Sequence, residues 1–207
     1  MDSLYLGCLL LKISLVHYAM DILGYFGHAI VGLPVSIGLI SLGYASNERR
    51  LKLAGLAVLL SIAAAGLLTE ALKHFFQMPR PKAIGGYGFP SGQSGTAFAL
   101  ASALSVSFPA LTPLYFVLAT LTGISRMYFR AHFLVDVIVG GLVGSLIGFF
   151  IARSIVTPAK RKPISLTRLL SWFAVGTVAL TGILFFGSSP CRVGKNSMKI
   201  GLCTRVN

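Results

Sequence analysis

Long apolar runs alternate with short polar segments along the chain, and this pattern predicts a bundle of membrane-spanning helices. Most of the apolar runs are close to the roughly 20 residues that a helix needs to cross a bilayer. We therefore expect an all-α, polytopic membrane protein with a six-transmembrane-helix bundle. The predicted spans are residues 27–46, 52–74, 91–109, 111–128, 132–153 and 165–187.

The N-terminal segment, residues 3–22, is also apolar, but it carries Lys12, His17 and Asp21. A charged side chain in the middle of a span is costly. We therefore expect an N-terminal helix that lies in the membrane interface, with a spanning helix as the alternative.

Composition supports a membrane environment and argues against other classes of protein. Hydrophobic residues make up 55% of the 207 residues, and charged residues only 11%, against about 25% in soluble proteins. The length suits a single domain over residues 1–207, with a motif core at 73–136 and a tail at 188–207. The net charge is +13, but the basic residues lie between apolar runs, so we expect no nucleic-acid binding. The expected partners are the bilayer and a membrane lipid, with no obligate protein partner and no cofactor.

The connecting segments differ in charge between the two faces of the predicted bundle. Compact Arg and Lys clusters at residues 49–52 and 160–162 lie on one face, which we place in the cytoplasm. The opposite face, with residues 74–90, 128–132 and the tail, is then extracytoplasmic. The compact chain is typical of a bacterial inner or plasma membrane protein.

Two of the three cysteines, Cys191 and Cys203, fall in the tail that this topology exports to an oxidising compartment. A disulfide between them and two free thiols are both compatible with the sequence.

Three short segments at the ends of predicted helices carry side chains suited to one phosphate site. They are Lys73-x6-Arg80-Pro81, Pro90-Ser91-Gly92-Gln93-Ser94 and Ser125-Arg126-x5-His132-x3-Asp136. Because all three lie at helix ends on the same face, they can line one shallow pocket at the membrane boundary.

The residue types in these segments match the chemistry of a phosphoryl group. Three cations are available, namely Lys73, Arg80 and Arg126, and a guanidinium can form paired hydrogen bonds to phosphate oxygens. The backbone N–H groups of Ser91, Gly92 and Gln93 open a helix, and such a terminus binds anions. Together these groups would stabilise the charge of a phosphoryl transition state.

His132 is the candidate nucleophile of this site. Asp136 follows one helical turn later on the same face. A carboxylate there can hold one ring nitrogen protonated and leave the other free to attack, although the partner could equally come from another helix. The chain has five acidic residues and no carboxylate cluster, so we expect no metal site.

The three segments resemble the signature motifs of the type 2 phosphatidic acid phosphatase family, whose fold is shared with vanadium haloperoxidases. The resemblance implies a membrane lipid phosphatase that is metal-independent and works through a phosphohistidine. It also implies that His132 is the nucleophile, with Asp136 as its partner. The residues that it implies for phosphate binding are Lys73, Arg80, Ser91, Gly92 and Arg126.

Gln93 stands where the family has a histidine that protonates the leaving oxygen. An amide donates a hydrogen bond but cannot release a proton. Gln93 is either natural or an engineered change that traps the substrate. His74 is a weaker candidate for the missing acid, and we expect it to face lipid headgroups instead.

The leading interpretation is therefore hydrolysis of a lipid phosphate. If Gln93 is natural, a good leaving group is expected. The phosphate monoester that leaves from a diphosphate is a stable anion, because its last ionisation lies at about 6. Undecaprenyl diphosphate and lipid A 1-phosphate are then favoured over phosphatidic acid. The alternatives are a phosphotransferase that passes the phosphoryl group from His132 to another lipid, and an inactive lipid-phosphate binder.

The charge pattern makes a testable prediction about topology. Single cysteines placed at residues 49–52 and 160–162 should be shielded from an impermeant thiol reagent added outside the cell, whereas a cysteine at position 85 should react. Labelling of position 85 only after the membrane is permeabilised would reverse the predicted orientation.

Overall fold

The computed structural model describes residues 15–81 and 85–156. These residues form an all-helical bundle. Its helices are α1 (Leu15–Tyr25), α2 (Ala29–Ala45), α3 (Arg49–Phe76), α4 (Gly92–Ser107), α5 (Thr112–Tyr128) and α6 (Leu134–Ile155), with a 3-10 turn at Pro109–Leu111. Within the described residues there is no β-strand, and the one isolated backbone bridge joins Pro79 to Tyr87.

Five of the six predicted spans correspond to helices α2 to α6, to within three residues at each end. Two helices, α3 and α6, are each long and apolar enough to cross a membrane, and α1 with α2 makes a third candidate if that bent pair is one span. Helices α4 and α5 have only 16 and 17 residues, so the count of six spans remains a prediction. The sixth predicted span, residues 165–187, and all three cysteines lie outside the described residues.

The outer face of α6 carries large apolar side chains that none of the other described helices covers. Val135, Ile138, Leu142 and Leu146 are each between 51% and 60% exposed and follow one another along the same stripe. An apolar surface of this extent is unusual on a water-soluble monomer and suits contact with lipid.

Helix α4 forms the centre of the described bundle and packs against α3, α5 and α6. Its alanines at 97, 99, 101 and 103 have no exposed surface. Such small side chains let neighbouring backbones approach closely, which is how membrane helices commonly associate.

The contact between α4 and α6 depends on a series of glycines, as their four-residue spacing indicates. A Cβ atom at Gly144 would overlap the carbonyl oxygen of Gly95, and one at Gly148 would overlap the carbonyl oxygen of Ala99. A Cβ atom at Gly140 would meet the carbonyl oxygen of Ser91 in the same way. The two backbones are therefore in direct contact from the first turn of α4 downwards.

Helices α1 and α2 meet at a bend of 52°. The described part of α1 runs antiparallel to the end of α5, where the Ser125 hydroxyl donates to the Met20 carbonyl at 2.7 Å and the Thr122 hydroxyl to the Leu23 carbonyl at 3.0 Å. Helix α2 packs instead against α3, and the Ser36 hydroxyl donates to the Gly55 carbonyl at 2.9 Å.

This connectivity gathers five helix ends on one face, namely the starts of α2, α4 and α6 and the ends of α3 and α5. On the opposite face, the Arg50 guanidinium donates to the Ser107 carbonyl and lies 5.7 Å from the centre of the Phe108 ring. The three motifs thus share one end of the bundle, as their positions at helix ends predict.

Gly144→Ala should lower the thermal midpoint of the detergent-solubilised protein, because the new methyl group meets a backbone oxygen that cannot move independently of α4. Overpacking of this kind typically costs about 1–3 kcal/mol. Gly38→Ala is the matched control, since a Cβ atom at Gly38 meets nothing within 4 Å. Equal midpoints for the two variants would contradict the close packing of α4 on α6.

Candidate active site

The end of α3 brings Lys73 to the start of α4. Its Nζ atom would lie 3.2 Å from a Cβ atom built on Gly92, and it is 2.5 Å from Oε1 of Glu70. The helix then stops because Gln77 adopts the left-handed conformation, with φ 50°, and its N–H closes onto the Lys73 carbonyl at 2.9 Å. Pro79 and Pro81 prevent the helix from resuming.

The loop after α3 folds back on itself and holds Arg80. The Gly88 N–H donates to the Met78 carbonyl at 2.7 Å, and Pro79 pairs with Tyr87. A Cβ atom at Gly88 would come within 3.2 Å of both Arg80 Cγ and the Pro79 carbonyl. The buried Nε of Arg80 has no hydrogen-bond partner within the described part of the chain.

The start of α4 is anchored to the first turn of α6. Ser91 is fully buried, and its N–H donates to the Asp136 carbonyl at 2.9 Å. Its hydroxyl lies 2.9 Å from that of Ser94 and accepts from the Ser94 N–H at 3.4 Å, as an N-cap residue does. The expectation that the Ser91 N–H faces an anion is therefore wrong, because a neighbouring helix already uses it. Gly92 and Gln93 then provide the first two N–H groups of α4, which have no partner within the helix.

His132 lies in the link between α5 and α6 and is only 6% exposed. Its Nδ1 is 2.8 Å from the Gly88 carbonyl oxygen, so Nδ1 carries the proton and donates, and Nε2 keeps its lone pair. We expected Asp136 to accept this hydrogen bond. Asp136 Oδ2 lies 3.6 Å from Nδ1 and instead accepts the Phe133 N–H at 2.8 Å, which caps α6.

The surroundings of His132 favour its neutral form. Burial lowers the pKa of His132 below its ordinary value of 6.5, and the Arg80 charge lowers it further. The Asp136 carboxylate and the Gly88 carbonyl act in the opposite direction, and Lys73 adds a further lowering effect. His132 is then a neutral imidazole at neutral pH, with its proton on Nδ1, which is the form that can act as a nucleophile.

Arg126 reaches the first turn of α4 from the end of α5. Its guanidinium donates to Gln93 Oε1 at 3.0 Å and to the Ser125 hydroxyl at 2.7 Å, and it lies 5.5 Å from the centre of the Phe129 ring. Its Nε, like that of Arg80, is buried without a hydrogen-bond partner in the described residues. Buried donors are rarely left unpaired, and two guanidinium groups in this state fit the binding of an anion.

Three groups at the site were missed from the sequence. The Gly88 carbonyl orients His132, and Glu70 pairs with Lys73 three residues later, a spacing that could have suggested the contact. His28, at the start of α2, contacts the Gln93 side chain through Nε2. No local motif marks His28, since it is 65 residues away from Gln93 in the chain. His74 packs edge-on against the Tyr87 ring instead.

Three cations, the start of α4 and a neutral histidine thus meet at one end of the helical bundle, an arrangement suited to an anionic group. The described residues hold no group of three or more His, Cys, Asp or Glu side chains that could bind a metal ion.

The family model of the PAP2 superfamily matches residues 54–160, and the chain belongs to this superfamily. No curated protein sequence matches it. Among solved structures, LpxE from Aquifex aeolicus is similar, with 28% identity, a TM-score of 0.55, and coverage of 66% of this chain and 85% of that one. The first transmembrane PAP2 type phosphatidylglycerolphosphate phosphatase from Bacillus subtilis is similar at 26% identity, with a TM-score of 0.58 and coverage of 72% and 80%.

The environment of His132 predicts how it titrates in the substrate-free protein. By NMR of labelled histidine, His132 should titrate below pH 6.5, and Arg80→Gln should raise its pKa because a neighbouring positive charge is removed. Asp136→Asn should lower the pKa of His132, since the carboxylate that it removes stabilises the imidazolium. A resonance absent from His132→Gln provides the assignment. Titration of His132 above pH 6.5 in the parent would contradict this account.

Proposed function

We propose that this chain is an integral-membrane lipid phosphatase that releases phosphate from a lipid phosphate or diphosphate through a phosphohistidine on His132. The observation that carries the proposal is the hydrogen bond from Nδ1 to the Gly88 carbonyl, 2.8 Å long. It directs the lone pair of Nε2 away from the protein backbone while the ring stays neutral.

The phosphate group would be held at the start of α4. The N–H groups of Gly92 and Gln93 point out of the helix and favour negative charge. Lys73 comes from α3, Arg80 from the following loop and Arg126 from α5, so positive charge surrounds this terminus. The unpaired Nε atoms of both arginines supply donors for phosphate oxygens.

The reaction would proceed in two displacements. Nε2 of His132 attacks phosphorus, the bond to the lipid oxygen breaks, and a phosphohistidine forms. Water then attacks that phosphorus, and the electrons of the phosphorus–nitrogen bond return to Nε2. Asp136 stabilises the positive ring during the first displacement from 3.6 Å and holds the start of α6 in place.

A lipid is the substrate class that suits the location of the site. The motifs lie where helices α3 and α6, each long enough to cross a bilayer, end and begin. A headgroup phosphate is found at that depth. The Bacillus subtilis neighbour is titled a phosphatidylglycerolphosphate phosphatase, which supports the class. Undecaprenyl diphosphate and lipid A 1-phosphate remain candidates, with the site on the extracytoplasmic face.

Purified protein incubated briefly with a ³²P-labelled lipid phosphate in EDTA should acquire an acid-labile, base-stable label on His132. His132→Gln should abolish both this label and phosphate release, because the attacking lone pair is that of His132 Nε2. His74→Gln is the matched control and should behave as the parent does. Labelling that persists in His132→Gln, or turnover that requires added magnesium, would refute the mechanism.

A further inference from the structure

The turn between α1 and α2 is fixed against the first turns of α4. A Cβ atom at Gly27 would overlap the Gln93 carbonyl oxygen and lie 2.9 Å from Thr122 Cγ2, so only glycine fits. The Thr96 hydroxyl donates to the Gly27 carbonyl. The next residue, His28, is thereby held beside α4 although it belongs to α2.

The ring of His28 meets the Gln93 side chain directly. Arg126 donates to Gln93 Oε1 at 3.0 Å, which sets the orientation of the amide and turns its NH₂ group towards Nε2 of His28. The His28 side chain does not cap α2 by a hydrogen bond, and the residue is exposed. Its ring can therefore exchange protons with solvent while it contacts the site.

A lipid phosphate monoester needs a proton donor at this position. Its leaving group is an alkoxide, whose conjugate acid is about as weak as water, so the oxygen leaves poorly unless it is protonated. Gln93 cannot release a proton. Glu70 accepts from the Lys73 ammonium at 2.5 Å, so it presents lone pairs to the site rather than a proton. Histidine is the side chain that exchanges a proton near neutral pH.

We infer that His28 supplies the imidazole that the second motif lacks. The inference rests on the proposed phosphatase function. In the substrate-free protein Nε2 of His28 accepts from the Gln93 NH₂ group. Once phosphate draws Arg126 away and releases that amide, Nε2 takes up a proton from solvent and gives it to the lipid oxygen as the phosphorus–oxygen bond breaks, while His132 bonds to phosphorus. Neutral His28 then takes a proton from the water that attacks the phosphohistidine. When phosphate leaves, Nε2 returns its proton to solvent and the Gln93 amide contact re-forms, so each turnover returns both histidines to their starting states.

The two imidazoles approach the start of α4 from different elements. His132 comes from the link between α5 and α6, beside Gly88 and Asp136, whereas His28 comes from the turn between α1 and α2. A nucleophile and a leaving-group acid brought in separately suit in-line displacement, in which attack and departure occur on opposite sides of phosphorus. Phosphate bound to Arg126 would also draw the guanidinium away from Gln93. The Gln93 amide could then turn and release Nε2 of His28.

This assignment changes the expected range of substrates. The preference for diphosphates and anomeric phosphates follows from Gln93 only if no other acid reaches the leaving oxygen. With His28 in place, an ordinary lipid phosphate such as phosphatidic acid is also a substrate, and its cleavage depends on His28 more than that of a diphosphate does.

The test compares phosphatidic acid with a polyprenyl diphosphate in mixed micelles and measures the rate of phosphohistidine formation. His28→Gln should slow formation from phosphatidic acid by about 10²–10⁴-fold, the usual contribution of a general acid. Formation from the diphosphate should stay near the parent rate, and the phosphohistidine should then accumulate because its hydrolysis has lost the base. Gln93→His introduced into His28→Gln should restore cleavage of phosphatidic acid.

Two further variants make the comparison specific. His74→Gln should match the parent on both substrates. Glu70→Gln should change the rate of phosphohistidine formation by the same factor on both lipids. A larger loss on phosphatidic acid would identify Glu70 as the acid and overturn the inference. Parent-like rates in His28→Gln, equal losses on both lipids, or a parent that cleaves only the diphosphate would also overturn it.

Failure of the proposed function gives a different result. A parent protein that forms no phosphohistidine and releases no phosphate from either lipid refutes both proposals. A parent that forms phosphohistidine on His132 while His28→Gln is unaffected refutes the role of His28 alone.

Discussion

The direct contact between the backbones of α4 and α6 is the constraint on which the site depends. Gly144 and Gly148 bring α6 against the carbonyl groups of α4, and at the top of this contact the Ser91 N–H donates to the Asp136 carbonyl at 2.9 Å. The start of α4, where an anion would bind, is thereby fixed relative to the start of α6, two residues after His132. A separation of the two helices by the size of a methyl group would move His132 away from the proposed phosphate position, and misplacement by about 1 Å can cost about 10²-fold in rate.

Charge imposes the second constraint. Cations are costly inside a bilayer, and Lys73, Arg80 and Arg126 accordingly lie at or beyond helix ends. Partial neutralisation also occurs within the protein, since Lys73 pairs with Glu70, but the arginines keep buried Nε donors unpaired. Burial lowers the pKa of His132, and the Arg80 charge lowers it further. Arg80 therefore has a part both in the proposed binding of the anion and in keeping the proposed nucleophile neutral.

The positions of most helices and the grouping of the three motifs could be predicted from the sequence. Apolar periodicity located α2 to α6, and the spacing of polar residues at helix ends placed the three motifs together, because both signals are local. The partners at the site were harder to predict. The Gly88 carbonyl and the N–H of Ser91 are backbone groups without a sequence signature, and their hydrogen bonds are set by how the loop after α3 folds over α6. The contact of His28 with the site could not be predicted, for a related reason. Its position depends on the turn at Gly27 and on a bend of 52°, and neither leaves a periodic pattern.

It is physically reasonable that His28 takes the acid role of position 93. A proton donor is defined by where its nitrogen lies, not by the helix that carries it. A histidine at position 93 would place its ring on the first turn of α4, fixed by that helix alone. In this chain Gln93 occupies the position and its amide bridges Arg126 and His28, so the imidazole is held by three elements, α2, α4 and α5. The arrangement couples phosphate binding to proton transfer, since the guanidinium that would bind the anion is also the group that orients the amide against His28. A substrate that engages Arg126 thus alters the hydrogen bonding of the acid before the leaving oxygen needs its proton.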